Sequence, residues 1–337
     1  MIFTSVTHVI DIINHLPAAN GQVKNQALAR QSQLTKPPGS LGKLETVAVW
    51  MAGWQGLEKP QINNGQCLVF AGNHGVVAQN ISPYPADVTG QMVANFAAGG
   101  AAINQLCAEA NLTLTVTDIE LDRPTNDLSQ GAAMSEAEVL EAMNIGAAQI
   151  AEDCDFIVVG EMGIGNTTAA AALCMARFGG DAPRWVGPGT GLDHEGVAHK
   201  AKIVEQALKT QGETDANPVA LLAGFGGREL AAIAGAVLAA RMRSIPMMLD
   251  GFISTAAAAA LTADGKLDAL DHTVISHMSG EPGHLRLAVA LRKQPLIDLG
   301  MRLGEASGGA LATLIVRAAL ATHNGMATFA EAGVSEG

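Results

Sequence analysis

The chain has 337 residues, 48% hydrophobic and only 15% charged. That length suits about two domains, or one large domain with an accessory piece, and the low charge excludes a disordered chain. Its 20 basic and 32 acidic residues leave a net charge of −12, so neither nucleic-acid phosphates nor anionic lipid is an expected partner.

Residues 1–33 read as helical, with Val6, Val9, Ile10 and Ile13 at helical spacing. Asp11 and His15 interrupt the only apolar stretch there, and no cationic segment leads into it, so no signal peptide is expected. No run of about 18 apolar residues occurs, so no membrane span is expected either. KPPGSLG (36–42) reads as a rigid extended turn entering a helix at Lys43. From there one unit recurs: a short apolar run, then glycine and polar residues, then an alanine-rich helical stretch. The apolar runs are 67–71, 112–119, 156–159, 219–223, 245–249 and 274–276. Strands alternating with helices imply βαβ units and a parallel sheet, and near-continuous apolar strands imply that both faces are covered.

The expected fold is therefore α/β: an open, mostly parallel, Rossmann-like three-layer sheet with helices on both faces, spanning 34–305. The tail at 308–323 reads as a second apolar helix. With no strand at either end, 1–33 and 306–337 are expected to pack together as a small helical domain. Cys67, Cys107, Cys154 and Cys174 show neither a C-x-x-C nor a cluster, which suits buried thiols and a cytoplasmic protein.

In open parallel sheets ligands bind outside the carboxyl ends of the strands. The loops after the apolar runs would gather Asn73, Glu161, Asn166, Arg228, Asp250 and Ser279 on one rim. Familiar catalytic signatures are missing: there is no P-loop, no H-E-x-x-H, no G-x-S-x-G and no Asp-Asp…Thr-Gly diphosphate loop. Gly224, Gly226 and Gly227 fail the dinucleotide spacing because Glu229 stands where the third glycine belongs. Gly163-Ile164-Gly165-Asn166-Thr167-Thr168 suits an anion cradle, although an ordinary glycine turn with an Asn or Thr cap has the same pattern. The 276–281 stretch, SHMSGE, reads either as an oxyanion loop or as a plain one.

Glu305 stands among glycines and alanines before the tail helix. It reads either as a carboxylate complementing the helix dipole or as a general base whose pKa an apolar wall raises. Glu161 carries the same ambiguity at its strand end. Lys200 reads as a surface lysine or a phosphate ligand, and Met92 as core filler or a specificity element. The 9 histidines show no ligand spacing, so no metal is expected.

Nine blocks in order carry a resemblance: KPPGSLGKLE (36–45), GNHGV (72–76), SPYPADVTGQM (82–92), GEMGIGNTTAAAA (160–172), GPGTGLD (187–193), GFGGRELAAIAGA (224–236), LDGFISTAAA (249–258), SHMSGEPG (276–283) and RLGEASGGALA (302–312). Together they resemble the nicotinate-nucleotide–dimethylbenzimidazole phosphoribosyltransferase family. The resemblance implies transfer of phosphoribose from nicotinate mononucleotide to 5,6-dimethylbenzimidazole, giving α-ribazole 5′-phosphate and nicotinate in cobalamin assembly. It also implies a homodimer that uses neither a metal nor another cofactor. Block by block it places Glu305 as catalytic base, with Ser82, Tyr84, Gln91, Met92 and Leu303 around the benzimidazole. Gly163, Asn166, Thr167, Lys200, Ser279 and Gly280 fall around the phosphoribosyl group, with Glu161 as the acidic residue beside it. Asn73 departs from the family, standing where many members carry aspartate. The reading from another functional class is a non-catalytic binder of nucleotide or benzimidazole on the same fold.

Overall fold

The computed structural model describes residues 1–212 and 217–335. Helices α1 (Val6–Asn14), α2 (Gly21–Gln33) and α3 (Lys43–Gln55) precede strand β1 (Gly65–Ala71). Helices α4 (Asp87–Ala97) and α5 (Ala102–Ala110) lead to β2 (Thr113–Asp118), and α6 (Glu136–Ala148) to β3 (Phe156–Met162). Four helices fill the connection to β4 (Met247–Leu249): α7 (Asn166–Phe178), α8 (His194–Gln211), α9 (Pro218–Phe225) and α10 (Arg228–Met242). Helix α11 (Phe252–Ala259) leads to β5 (Thr273–Ile275), followed by α12 (Pro282–Ala290), α13 (Ser307–Gly325) and α14 (Phe329–Ala332).

The strands form one parallel sheet in the order β2-β1-β3-β4-β5. Side chains alternate cleanly between its faces, as a strand's period of two requires. Leu68, Phe70, Ile157, Val159, Met247 and Leu249 enter the core beneath α6, α7, α9, α10 and α11, while Cys67, Val69, Phe156, Val158 and Met248 enter the core beneath α3, α5 and α13. The three-layer α/β sheet expected from the sequence is what forms. The strand order changes direction between β1 and β3, which opens a crevice past their carboxyl ends.

One expected strand is a helix. Residues 219–223 lie in α9, whose N-cap Asn217 accepts from the Ala220 N–H at 2.8 Å and whose first position is Pro218. Seven of its eight residues are buried, so its apolar run carries no amphipathic period to separate helix from strand. Next to it, α10 is buried along nearly its whole length and lies so close to α6 that a Cβ on Gly235 or Gly146 would collide with the facing backbone. The chain ends meet where Arg30 donates to the carbonyls of His323, Asn324 and Met326 and Leu34 bridges Thr328. The N-terminal part of α13 is built into the second sheet face through Ala310, Ala312 and Val316.

Candidate active site

A cleft of about 640 Å³ lies past the carboxyl ends of β3, β4 and β5. Tyr84, with Val88 and Met92 of α4, forms one wall, and Leu303, Gly304 and Glu305 form another. The start of α7 contributes Asn166 and Thr167, and the start of α11 contributes Phe252 and Ile253. Tyr84 and Leu303 are half exposed at the mouth, whereas Glu161 and Glu305 are each 5% exposed at the floor.

The two glutamates are locked together by backbone. The Glu305 N–H donates to the Glu161 carbonyl at 3.1 Å, and a Cβ on Gly304 would press on the Glu161 carboxyl. A Cβ on Gly160 would collide with the Ala306 backbone, so β3 needs glycine there for the 304–306 turn to pass. Asn166 donates to the Glu161 carboxyl. Burial pushes the Glu161 carboxyl well above the usual range, and the nearby Asp250 and Glu229 charges push the same way. Burial alone raises Glu305. Among the described residues no side chain hydrogen-bonds the Glu305 carboxyl, which leaves it for a guest.

Asp250 stands beneath this floor, 1% exposed. Burial pushes it up to about 7, against the pull of the Gly309, Gly308 and Ala306 N–H groups. Lys200 is nine-tenths or more buried, donating to Thr167 Oγ1 at 2.7 Å and to the Gly187 carbonyl at 3.3 Å. Burial lowers it to about 8, with Glu281 pulling the other way. Glu281 lines the cleft and accepts from the Gly189 N–H at 2.8 Å, while Arg302 donates to the Gly189 carbonyl at 3.0 Å.

Backbone donors at the Ser279–Glu281 end of the loop are already engaged within the protein. Ser279 N–H reaches His284 Nδ1 at 2.9 Å, Gly280 N–H the Met301 carbonyl at 2.9 Å, and Glu281 N–H the Ser279 hydroxyl at 3.3 Å. Buried His284, its pKa lowered to about 3 by desolvation, stays neutral and accepts at Nδ1. The loop therefore presents the Ser279 hydroxyl and the Glu281 carboxyl to the cleft rather than a row of amides.

Of the residues singled out in the sequence, Glu305, Glu161, Tyr84, Met92, Leu303, Gly163, Asn166, Thr167 and Ser279 line the cleft. Ser82 stands beside it, its hydroxyl 3.0 Å from that of Thr190, a lining residue. Lys200 lies behind Thr167, and Gly280 behind Arg302. Gln91 is exposed on α4, outside the lining.

The rim of six divides. Glu161, Asn166 and Ser279 line the cleft and Asp250 underlies it, but Arg228 pairs with Glu120 and Glu138 at 3.0 and 2.6 Å, and Asn73 donates to the Leu121 carbonyl. Arg302 and Thr190 carried no role in the sequence, and His277 and Glu281 only a place in the 276–281 loop, yet all four line the cleft. All four lie within the quoted blocks 187–193, 276–283 and 302–312, which was the available signal. No group of three or more His, Cys, Asp or Glu that could hold a metal ion occurs among the described residues, and no described helix is long and apolar enough to cross a membrane.

A family model described as phosphoribosyltransferase matches residues 16–334. A nicotinate-nucleotide–dimethylbenzimidazole phosphoribosyltransferase of Novosphingobium aromaticivorans is 53% identical over 336 residues, 99% of each chain. One from a Jannaschia species is 52% identical over 337 residues, covering 99% of this chain and all of its own. A crystal structure of the protein of that name from Thermus thermophilus superposes with a TM-score of 0.87 at 40% identity, covering 94% of this chain and 100% of its own.

Proposed function

Since the chain belongs to the nicotinate-nucleotide–dimethylbenzimidazole phosphoribosyltransferase family, we propose that it transfers phosphoribose from nicotinate mononucleotide to 5,6-dimethylbenzimidazole. The observation that carries this reading is Glu305: a carboxyl buried at the floor of the cleft, raised by desolvation, free of side-chain hydrogen bonds among the described residues, in a cleft that Tyr84, Val88 and Met92 also line.

The chemistry needs one such group. The ring nitrogen of nicotinate mononucleotide is quaternary, so nicotinate leaves with the bonding pair and requires no proton. The azole attacks the anomeric carbon through one nitrogen and loses the proton on the other. Glu305 accepts that proton, and attack opposite the leaving ring converts a β bond to an α bond. No second acid is required, unlike the paired carboxyls of glycosidases. Glu161 adds negative potential beneath the cationic sugar of the transition state. The 163–168 loop, Lys200 and Ser279 hold the phosphoribosyl end, and the Tyr84, Met92 and Leu303 surfaces hold the flat bicycle, with Ser82 and Gln91 at its margin. The working form is a homodimer.

Incubating the protein with nicotinate mononucleotide tests this reading through released nicotinate. Release that depends on added dimethylbenzimidazole, with α-ribazole 5′-phosphate appearing in step, is the expected result. Release without any base marks a hydrolase, and binding without release marks a carrier; either overturns the proposal.

A further inference from the structure

The turn that carries Glu305 has a demanding backbone. Gly304, Glu305 and Ala306 have φ of +82°, +61° and +63°, so two residues with side chains sit consecutively in the left-handed region. That conformation is costly for any residue but glycine and persists only where the surroundings impose it. The helix that follows does little to impose it, because the N-cap of α13 is Ala306, which has no side-chain acceptor.

The acceptor comes from another element. Asp250 follows β4, and its Oδ1 accepts from the Gly309 N–H at 2.9 Å. Its own backbone is pinned on both sides: the Asp250 N–H donates to the Val159 carbonyl at 3.1 Å, and its carbonyl accepts from the Ser276 hydroxyl at 2.7 Å. His277 Nε2 lies 3.6 Å from the same Oδ1, and the His277 ring fills the place a Cβ on Gly308 would take. A Cβ on Gly309 would strike Val158. The glycines of 308–309 thus let α13 approach β3 and Asp250 closely, and the carboxyl supplies what Ala306 lacks. Asp250 is absent from the cleft lining, so it reaches a bound substrate through its neighbours, and the neighbour it hydrogen-bonds through its side chain is this helix start.

We propose that Asp250 is a positioning residue for the transfer: its carboxyl oxygen caps α13 from outside and holds the 304–306 turn so that Glu305 faces the cleft. This rests on reading Glu305 as the base, and the experiment separates the two. Removing the cap lets the turn relax, and a displacement near 1 Å at a reacting group costs about 100-fold in rate.

Asp250→Ala and Asp250→Asn are made in the wild-type chain and in Glu305→Gln, and kcat, KM and amide hydrogen exchange at 308–310 are measured. The alanine variant should lose kcat by about 10–100-fold with KM for nicotinate mononucleotide within about twofold, and exchange at 308–310 should quicken. The asparagine variant keeps an oxygen for Gly309 and should recover kcat to within a few-fold. In Glu305→Gln the alanine change should cost little more. Unchanged kcat and exchange in the alanine variant overturn the proposal, as does an equal loss in both backgrounds. A fully active Glu305→Gln removes the base assignment alone; Asp250 is then judged by whether its alanine variant loses kcat together with protection at 308–310. Asp250→Ser, whose hydroxyl falls short of Gly309, takes the place of an alanine variant that does not fold, with the same outcomes.

Discussion

Two stretches of the same sheet edge treat buried acids in opposite ways. Past β1, Glu229 is fully buried and bonded to His74 at 2.6 Å, and Arg228 is closed off by Glu120 and Glu138. Past β3 and β4, Glu161, Asp250 and Glu305 are buried with no ion-paired Lys or Arg among the described residues, and backbone N–H groups and one asparagine are their main support. The first arrangement spends its charges on holding the loops. The second keeps acids at raised pKa beside an open cleft, which is costly for stability and useful for moving a proton.

Breaking the closed side should give the largest effect on stability. Glu229→Ala leaves His74 buried opposite a void and is expected to cost about 3–5 kcal/mol, measured by denaturant unfolding, while kcat per folded molecule changes little. A comparable loss of kcat would place Glu229 with the working acids and erase the contrast.

On the open side Asp250 should give stability a pH slope. Its folded pKa, about 7, lies above the ordinary 3.8, so its favourable contribution is full below that lower value and is lost as pH rises to the upper one. Glu161 and Glu305 are shifted in the same direction, so the informative quantity is a difference. Asp250→Asn should gain Tm relative to wild type as pH goes from 4 to 7 and hold that gain above it. A difference that stays flat across the range contradicts the shift.

Lys200 sharpens the comparison from the donor side. Lys200→Ala should raise KM for nicotinate mononucleotide by about 10–100-fold, the value of a charged hydrogen bond, with a smaller change in kcat. An unchanged KM in steady-state assays would move the phosphate elsewhere.

Much of this was legible in the sequence, for identifiable reasons. The runs at 67–71 and 156–159 mark β1 and β3 because strands covered on both faces need unbroken apolar residues. The same rule misread 219–223, where a nearly wholly buried helix has an equally unbroken run; Asn217-Pro218, a cap followed by a first-turn proline, was the sign against a strand. Glu161 and Asn166 could be placed at the site because they come soon after the apolar run 156–159, at the carboxyl end of β3. Arg228 and Asn73 follow the same logic yet turn away, since position after an apolar run does not fix which neighbour a side chain meets. Asp250 was legible as a rim residue but not as a cap, because Gly309 lies 59 residues further on and only the packing of α13 on β3 brings them together.

If Glu305 takes the azole proton, turnover of Glu305→Gln reads the loss of that step without the loss of its shape. A fall in kcat of about 10²–10⁴-fold is expected, with binding of the mononucleotide largely kept. Turnover near that of the wild type, at the same KM, would contradict it.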